Sequence, residues 1–273
     1  MIPQITFSLF LLMTIFFLAF HLNVGTIGLA SNLNALMIVL GGTLSATLIA
    51  YPWRKLTWTA HLLRKAYSAW HEIDSTREAL VTLARTYRKS GIRGLEQQVE
   101  EFPDGLMKSA VDLFACRYGK ERIEEVLQKE AQVTYSQYET AYKIIYSMAR
   151  LAPALGLTGT IINLIRVFGH IADAQSLIGY MAIALLSTFY GVVLANLLFI
   201  PLANKLREFM DHEAIRFELI QEEIMDIYDD VNPRAIEYKL EAISRPVLTQ
   251  RSVSPRSRLL LMPSRKQPSS VIS

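Results

Sequence analysis

Four long apolar stretches alternate with polar segments along this chain of 273 residues. The stretches cover residues 2–22, 34–52, 148–171 and 176–202. A helix that crosses a bilayer needs about 20 predominantly apolar residues, and each stretch is close to that length or longer. The pattern predicts an all-α membrane protein with four transmembrane helices, arranged as two helical hairpins.

The polar segments also follow a helical period, and strand signals are absent. Leu80, Leu83, Ala84 and Tyr87 form one apolar stripe at helical spacing. A second apolar stripe runs toward the third span and comprises Val126, Ala131, Tyr135, Tyr142 and Ile145. Breaks are expected at Gly91, at Gly94 and over residues 103–105, because glycine and proline interrupt helices. The helix before the third span is expected to continue into the membrane without a break.

The chain is expected to comprise five segments. They are a transmembrane hairpin (1–52), a helical insertion (53–147), a second transmembrane hairpin (148–204), a helical extension (205–244) and a basic tail (245–273). The helix of the fourth span is predicted to run on to residue 230 and to end at Asn232–Pro233, before a short helix over 235–243. The tail has six Lys and Arg residues and no acids, which is typical of a disordered arm that touches anionic lipid headgroups or is merely solvated.

Charge is segregated along the sequence. Residues 1–52 contain no Asp, Glu, Lys or Arg, and residues 151–204 contain only Arg166 and Asp173. The connectors inside the two hairpins carry no basic residue, whereas residues 53–150 hold 16 basic and 13 acidic residues. The positive-inside rule therefore puts the insertion and both termini in the cytoplasm. Because acids nearly balance bases in the insertion, the net charge of +3 does not indicate nucleic-acid binding.

The spans contain hydroxyl groups at matching depth but no carboxylate. Thr160 lies 14 residues before the tip of the second hairpin near Ala174, and Thr188 lies 14 residues after it. At 1.5 Å per residue, both lie roughly 20 Å from the tip, near the bilayer middle, and Ser187 is adjacent. Proteins that carry cations through a membrane normally use an acid or His. If ions pass here, a partner is expected to supply the carboxylate; alternatively, the hydroxyls only bond their own i−4 carbonyls.

Small residues and prolines cluster in the same two spans. Gly156, Gly159 and Gly191 predict close helix packing, which is typical of associating helices in lipid. Pro153 and Pro201 lie near the inner ends of the third and fourth spans and are expected to act as kinks or hinges. No metal-ligand spacing, phosphate loop or nucleophile elbow occurs, so we expect neither an enzyme nor a bound metal or cofactor.

Several of these segments resemble the MotA/TolQ/ExbB ion-channel family, and in particular its flagellar stator branch. The matching segments are 37–43 (MIVLGGT), 51–52 (YP), 152–160 (APALGLTGT), 184–191 (ALLSTFYG), 201–206 (PLANKL) and 232–234 (NPR). The resemblance extends over about residues 30–245, and the blocks in the third and fourth spans are its most specific part. It implies four spans in the bacterial inner membrane, with a helical cytoplasmic insertion.

The resemblance also implies partners, a mechanism and site residues. A pentamer of this subunit would surround a dimer of a single-span MotB-like protein whose membrane Asp carries the ion. Ion flow past Thr160, Ser187 and Thr188 would turn the ring, and Arg88, Lys89 and Glu96 would contact the rotor protein FliG. The hydroxyl pattern resembles sodium-type more than proton-type stators, because a dehydrating Na⁺ needs oxygen ligands.

Two positions depart from the family pattern. Asn163 stands where Gly is usual, and Arg166 stands where a small or apolar residue is usual. They indicate a divergent member, compatible with a motor outside a standard flagellum. Two alternatives to the flagellar stator remain: an ExbB/TolQ-like subunit that energises a TonB-like periplasmic partner, and a non-conducting membrane scaffold.

Overall fold

The computed structural model describes residues 29–68, 72–98, 105–169 and 174–244. The first predicted span and the basic tail lie outside these ranges. All regular elements within them are helical, which confirms the all-α prediction for the described part of the chain. In chain order they are α1 (Leu29–Ala50), α2 (Trp53–Ser68), α3 (Glu72–Gln98), α4 (Leu106–Ala115), α5 (Lys120–Gly169), α6 (Ala174–Val193), a π-helical segment (Leu194–Phe199), α7 (Ile200–Tyr228) and α8 (Pro233–Ser244).

Three helical runs among the described residues are apolar and long enough to cross a membrane. They lie within Leu33–Ala50, Lys120–Gly169 and Gly179–Tyr228. The second, third and fourth spans predicted from the sequence overlap these runs. As predicted, the helix of the third span begins far outside the apolar stretch, at Lys120, and it continues through Pro153 to Gly169.

The chain divides into two compact units. The first unit contains α1, α2, the part of α5 from residue 134 onward, α6, the π segment and the start of α7 to residue 210. The second contains α3, α4, the beginning of α5, the remainder of α7 and α8. The three apolar runs thus belong mainly to the first unit, and most charged residues belong to the second.

In the first unit, α1 packs against α6, and α2 follows α1 after Pro52. Leu62 and Ala66 of α2 are buried. Aromatic rings add to this packing, because Trp58 stacks on Tyr138 with ring centroids 6.1 Å apart, and Tyr138 in turn lies 5.5 Å from Phe209. These contacts join α2, α5 and the start of α7 at residues that lie outside the predicted spans.

In the second unit, α3 packs against α4 and α8. Leu80, Leu83 and Ala84 form its buried stripe, in agreement with their helical spacing, whereas Tyr87 is half-buried. Gly91 interrupts α3 with φ 63° and ψ −155°, a conformation that essentially only glycine tolerates. The predicted break at Gly91 is therefore present, while Gly94 stays within the helix.

The C-terminal turn matches its sequence signals. The helix of the fourth span ends at Tyr228, and Asn232 caps α8 through a 3.1 Å hydrogen bond in which its Oδ1 accepts from the backbone N–H of Arg234. Pro233 takes the first helical position, where a missing N–H costs nothing. Accordingly, α8 begins two residues earlier than predicted.

The predicted apolar stripe toward the third span is only partly correct. Ile145 is buried, but Val126, Ala131, Tyr135 and Tyr142 are half-buried. The fully or nearly fully buried positions are instead Ile123, Leu127, Tyr138, Ala141 and Ile144. Apolar side chains occur on more than one face of α5, and which of them are covered depends on the other helices of each unit.

Candidate functional site

The hydroxyl groups of Thr160 and Thr188 are hydrogen-bonded to each other across α5 and α6. Their predicted equal depth therefore corresponds to direct contact. Thr160 Oγ1 also lies 2.9 Å from the carbonyl oxygen of Ala184 on α6 and 3.2 Å from that of Gly156 on its own helix. The i−4 bond that sequence alone left as the alternative is thus only one of several contacts that Thr160 makes.

Proton counting indicates what this hydroxyl pair offers to a ligand. Each threonine hydroxyl has one proton and two lone pairs. If Thr160 donates to the carbonyl of Ala184, then Thr188 donates to Thr160, and both protons are used. The oxygen of Thr188 then keeps two free lone pairs and that of Thr160 keeps one. The pair is therefore an electron-rich site suited to a cation.

The two nearby hydroxyls have simpler surroundings. Ser187 is fully buried and donates to its own i−4 carbonyl at Ile183, over 2.9 Å. Thr158 is exposed and donates only to the carbonyl of Ala154, at 3.0 Å. The i−4 alternative thus describes both residues, although Ser187 lies beside Gly159 and next to Thr188 in the sequence.

The predicted small residues lie where α5 and α6 come closest. A Cβ atom placed on Gly156 would lie 2.7 Å from the carbonyl oxygen of Ser187, closer than real Cβ atoms are found. A Cβ atom on Gly159 would lie 2.8 Å from the Cβ of Ser187, and one on Gly191 would lie 2.7 Å from the carbonyl oxygen of Ala152. These glycines let the two backbones approach closely enough for the threonine side chains to meet.

The two prolines have different surroundings. Pro153 lies inside α5, beside Gly191, and the helix continues on both sides of it. Pro201 lies two residues beyond the end of the π segment, and the N–H of Ile200 between them donates to the carbonyl of Ala195, five residues earlier. A π-helical turn next to a proline rearranges the local backbone bonds, and such turns are frequent at functional sites.

Asn163 is a buried polar residue whose environment the sequence did not reveal. It is fully buried, and its Nδ2 donates to the carbonyl of Gly159 at 2.8 Å. Its Oδ1 has no hydrogen-bond partner among the described residues. In the sequence, the only sign that this position is unusual was the presence of Asn where the family usually has Gly. Arg166, the second departure, has an exposed side chain.

The predicted rotor-facing residues lie on α3. Arg88 and Lys89 are exposed just before the kink at Gly91. Glu96 follows that kink, and its side chain lies outside the described part of the structure. Because the backbone is not helical at Gly91, Glu96 does not share a continuous helical register with Arg88 and Lys89.

A cluster of charged groups in the second unit was not anticipated. Lys239 of α8 approaches three acids of α7, with Nζ 2.7 Å from Asp226, 3.0 Å from Glu222 and 3.2 Å from Glu223. Burial raises the pKa of Glu223 above its ordinary value of 4.5, and the charge of Lys239 opposes that rise. Burial alone would lower the pKa of Lys239, but its bonds to Asp226 and Glu222 raise it overall. The cluster ties α8 to α7.

Comparison with known proteins finds similarity to one family and to motility proteins of several bacteria. Residues 98–219 match the MotA/TolQ/ExbB proton channel family. The chain is 27% identical to the chemotaxis protein PomA of Vibrio alginolyticus over 218 residues, 80% of this chain and 85% of PomA. It is 34% identical to motility protein A of Borreliella burgdorferi over 167 residues, 61% of this chain and 64% of that protein.

A solved structure has a closely similar fold. The chain superimposes on a chain of the C. jejuni MotAB structure with a TM-score of 0.77, at 20% identity, over 92% of this chain and 100% of that one. This match shows that the two chains share a fold. The family match and the names of the relatives agree with the resemblance seen in the sequence.

Proposed function

Because residues 98–219 match the MotA/TolQ/ExbB proton channel family, we propose that this chain is the ion-conducting stator subunit of a bacterial flagellar motor. The observation that carries this proposal is the hydroxyl pair of Thr160 and Thr188 between two apolar helices. Their free lone pairs provide oxygen ligands at mid-membrane depth. The motility names of the relatives favour this function over a TonB-linked transport system or a passive scaffold.

The ion-binding carboxylate comes from a partner in this proposal. Residues 148–169 and 174–204 contain no Asp or Glu, so the hydroxyl pair has no acid of its own chain at its depth. A MotB-like single-span protein would contribute an Asp that faces Thr160 and Thr188. The solved relatives are MotAB complexes, which supports such a partner and a ring of several copies of this subunit, a pentamer by family resemblance.

The coupling step follows from electrostatics. A bare aspartate in the membrane is costly, and binding a cation neutralises it, so the partner Asp would alternate between charged and neutral forms. The charged and the neutral Asp would interact differently with the hydroxyl groups of the ring. The ring would therefore change its position around the partner each time an ion binds or leaves. Pro153 in α5, and the π segment with Pro201 at the junction of α6 and α7, are the places where these helices could bend during such a step.

Na⁺ is the ion that we favour. Sodium loses most of its water on entering a protein site and needs several oxygen ligands, whereas a proton is held by the carboxylate alone. Hydroxyls at Thr160, Ser187 and Thr188 supply such ligands at one depth. In this assignment the chain transports ions and is not an enzyme.

The remaining parts of the proposal concern topology and torque. The insertion and both termini would lie in the cytoplasm of an inner-membrane protein, as the charge distribution indicates. Arg88, Lys89 and Glu96 would then contact FliG on the rotor, and basic residues at the span ends and in the tail would contact anionic lipid headgroups.

The test compares two threonines on the same helical hairpin. Thr188→Val removes a hydroxyl of the pair and keeps the shape of the side chain. Thr158→Val removes an exposed hydroxyl that donates to Ala154 of its own helix. Both variants are produced with the MotB-like partner in motile cells, and rotation speed is measured against sodium concentration at constant pH. We expect the half-saturating sodium concentration to rise about tenfold for Thr188→Val, a loss of ~1.4 kcal/mol in binding, and to stay unchanged for Thr158→Val. Equal sodium dependence of Thr188→Val and the unaltered protein would remove Thr188 from the ion path.

A further inference from the structure

Asn163 combines full burial with an unpaired oxygen. Its side chain has no exposed surface, Nδ2 donates to Gly159, and Oδ1 has no hydrogen-bond partner among the described residues. A buried amide oxygen without a partner is unfavourable in a low-dielectric environment. A side chain without polar atoms would avoid this cost at a position in the middle of an apolar span. The retained amide therefore points to a ligand that binds the oxygen during function.

The position of Asn163 relates it to the hydroxyl pair. It follows Thr160 by three residues on α5, which is about 4.5 Å along the helix toward the loop that joins α5 to α6, and about 60° around it. It also shares a face with Gly159, one turn away, where α6 comes close enough for a Cβ atom to meet Ser187. Asn163 thus lies one turn beyond the hydroxyls, on the side from which an ion would enter in the proposed topology.

The burial of Asn163 limits what can bind there. A side chain with no exposed surface in a single subunit is not reached by a second copy or by a partner helix without rearrangement. The ligand must be small, either a water molecule or a dehydrated cation. A neutral amide oxygen is a hard ligand of the type that replaces the hydration shell of alkali cations, and it is far too weak a base to hold a proton.

We propose that Asn163 Oδ1 is a further oxygen ligand of the transported Na⁺, and that it acts one turn outside Thr160, Ser187 and Thr188 as a residue that selects sodium over protons. This inference rests on the proposed stator function. The dehydrated ion would contact the amide oxygen before it reaches the three hydroxyl oxygens, where the partner carboxylate would meet it. In this proposal the amide of Asn163 adds to the selection of sodium that the hydroxyls of Thr160, Ser187 and Thr188 provide.

The experiment separates a ligand role from a structural one. Asn163→Leu keeps the number and branching of the side-chain heavy atoms but removes the amide oxygen and nitrogen, and Asn163→Gly restores the residue usual in the family. Each is expressed as the full chain with its MotB-like partner, and the amount of assembled complex in the membrane is quantified. Rotation speed is then measured against sodium concentration at several pH values. We expect the half-saturating sodium concentration to rise about tenfold for Asn163→Leu, and in the same direction for Asn163→Gly, with maximal speed at saturating sodium nearly unchanged.

Other outcomes would overturn the inference in distinguishable ways. An unchanged half-saturating sodium concentration, with lower maximal speed or less complex, would mean that Oδ1 holds a water molecule or supports packing only. Rotation that follows pH and ignores sodium in the unaltered protein would eliminate sodium selection but leave the stator function intact. No rotation by the unaltered pair would contradict the proposed function itself. If Asn163→Leu does not assemble, Asn163→Gly decides by the same measurement.

Discussion

Gly156 and Gly191 face each other where α5 and α6 meet. A Cβ atom on Gly191 would lie 3.1 Å from the Cα of Gly156, and a Cβ atom on Gly156 would lie 3.2 Å from the Cα of Gly191. Backbone thus packs against backbone one helical turn from the hydroxyl pair. The distance between Thr160 and Thr188 depends on this contact, so the glycines control the geometry of the proposed ion path.

Gly191→Ala is expected to separate the two helices. The added methyl group would overlap the carbonyl oxygen of Ala152, and the strain should cost about 1–3 kcal/mol and lengthen the contact between the threonine hydroxyls. Thermal unfolding in detergent and rotation speed measure the two effects. Gly179→Ala is the matched control on α6, because nothing lies within 4 Å of its added methyl group. A Gly191→Ala protein with the stability and speed of the control would contradict this packing role.

Substitution of Thr160 separates the hydroxyl from the packing. Thr160→Ser keeps the hydroxyl that bonds Thr188 and Ala184, whereas Thr160→Val keeps the shape and loses the bonds. We expect Thr160→Val to lower stability by about 1 kcal/mol and to abolish most rotation, and Thr160→Ser to retain rotation. Speed at saturating sodium and the melting temperature are the measurements. Similar speeds for the two variants would show that the hydroxyl has no role in conduction.

Lys239→Ala is expected to destabilise the second unit. Three acids of α7 would lose their shared cation, and Glu223 would remain as a buried charge. We expect a loss of roughly 2 kcal/mol, less than for a fully buried pair because Lys239 is partly exposed. Arg85→Ala is the control, since it breaks an exposed pair with Glu237 and should change stability by less than about 0.5 kcal/mol. Thermal melts of the full chain in detergent compare them, and equal losses would refute the special role of Lys239.

The loss caused by Lys239→Ala should depend on pH. Burial raises the pKa of Glu223, so the folded state takes up its proton more readily than the unfolded state. Stability is then highest below the ordinary pKa of 4.5 and falls as pH rises toward the raised value. Removal of the opposing charge of Lys239 raises the pKa of Glu223 further. The deficit of Lys239→Ala relative to the unaltered protein should therefore be smaller at pH 5 than at pH 8, and a deficit independent of pH would rule out this cause.

Charge reversal tests the proposed rotor contact. Arg88→Glu combined with Lys89→Glu should reduce torque several-fold without changing the amount of complex in the membrane, because both side chains are exposed and lie outside the apolar spans. Lys129→Glu on α5 is the control, since Lys129 is exposed and forms a surface pair with Glu125. Tethered-cell rotation under load is the measurement. Full torque after the double reversal would assign the rotor contact to other residues.

The sequence predicted the helical elements well, because each depends on local signals. Apolar length marks the spans, Pro233 and Asn232 mark the start of α8, and Gly91 marks the break in α3. The equal depth of Thr160 and Thr188 also followed from counting residues along a helix of constant rise. The buried face of α5 was predicted less well. Apolar side chains occur on more than one of its faces, and the neighbouring helices decide which of them are covered.

Long-range contacts were beyond the reach of sequence reasoning. The bond between the two threonine hydroxyls needs the close backbone approach at Gly156 and Gly191, and the acid cluster around Lys239 needs α8 to fold back onto α7. Asn163 was noted only as a departure from a family pattern, whereas its burial and unpaired oxygen come from packing. The sequence by itself determined which segments are helical, which are apolar and that the described spans lack a carboxylate, since these properties are local or compositional. Only the tertiary structure decided which polar atoms meet, because that depends on the rotation and separation of helices far apart in sequence.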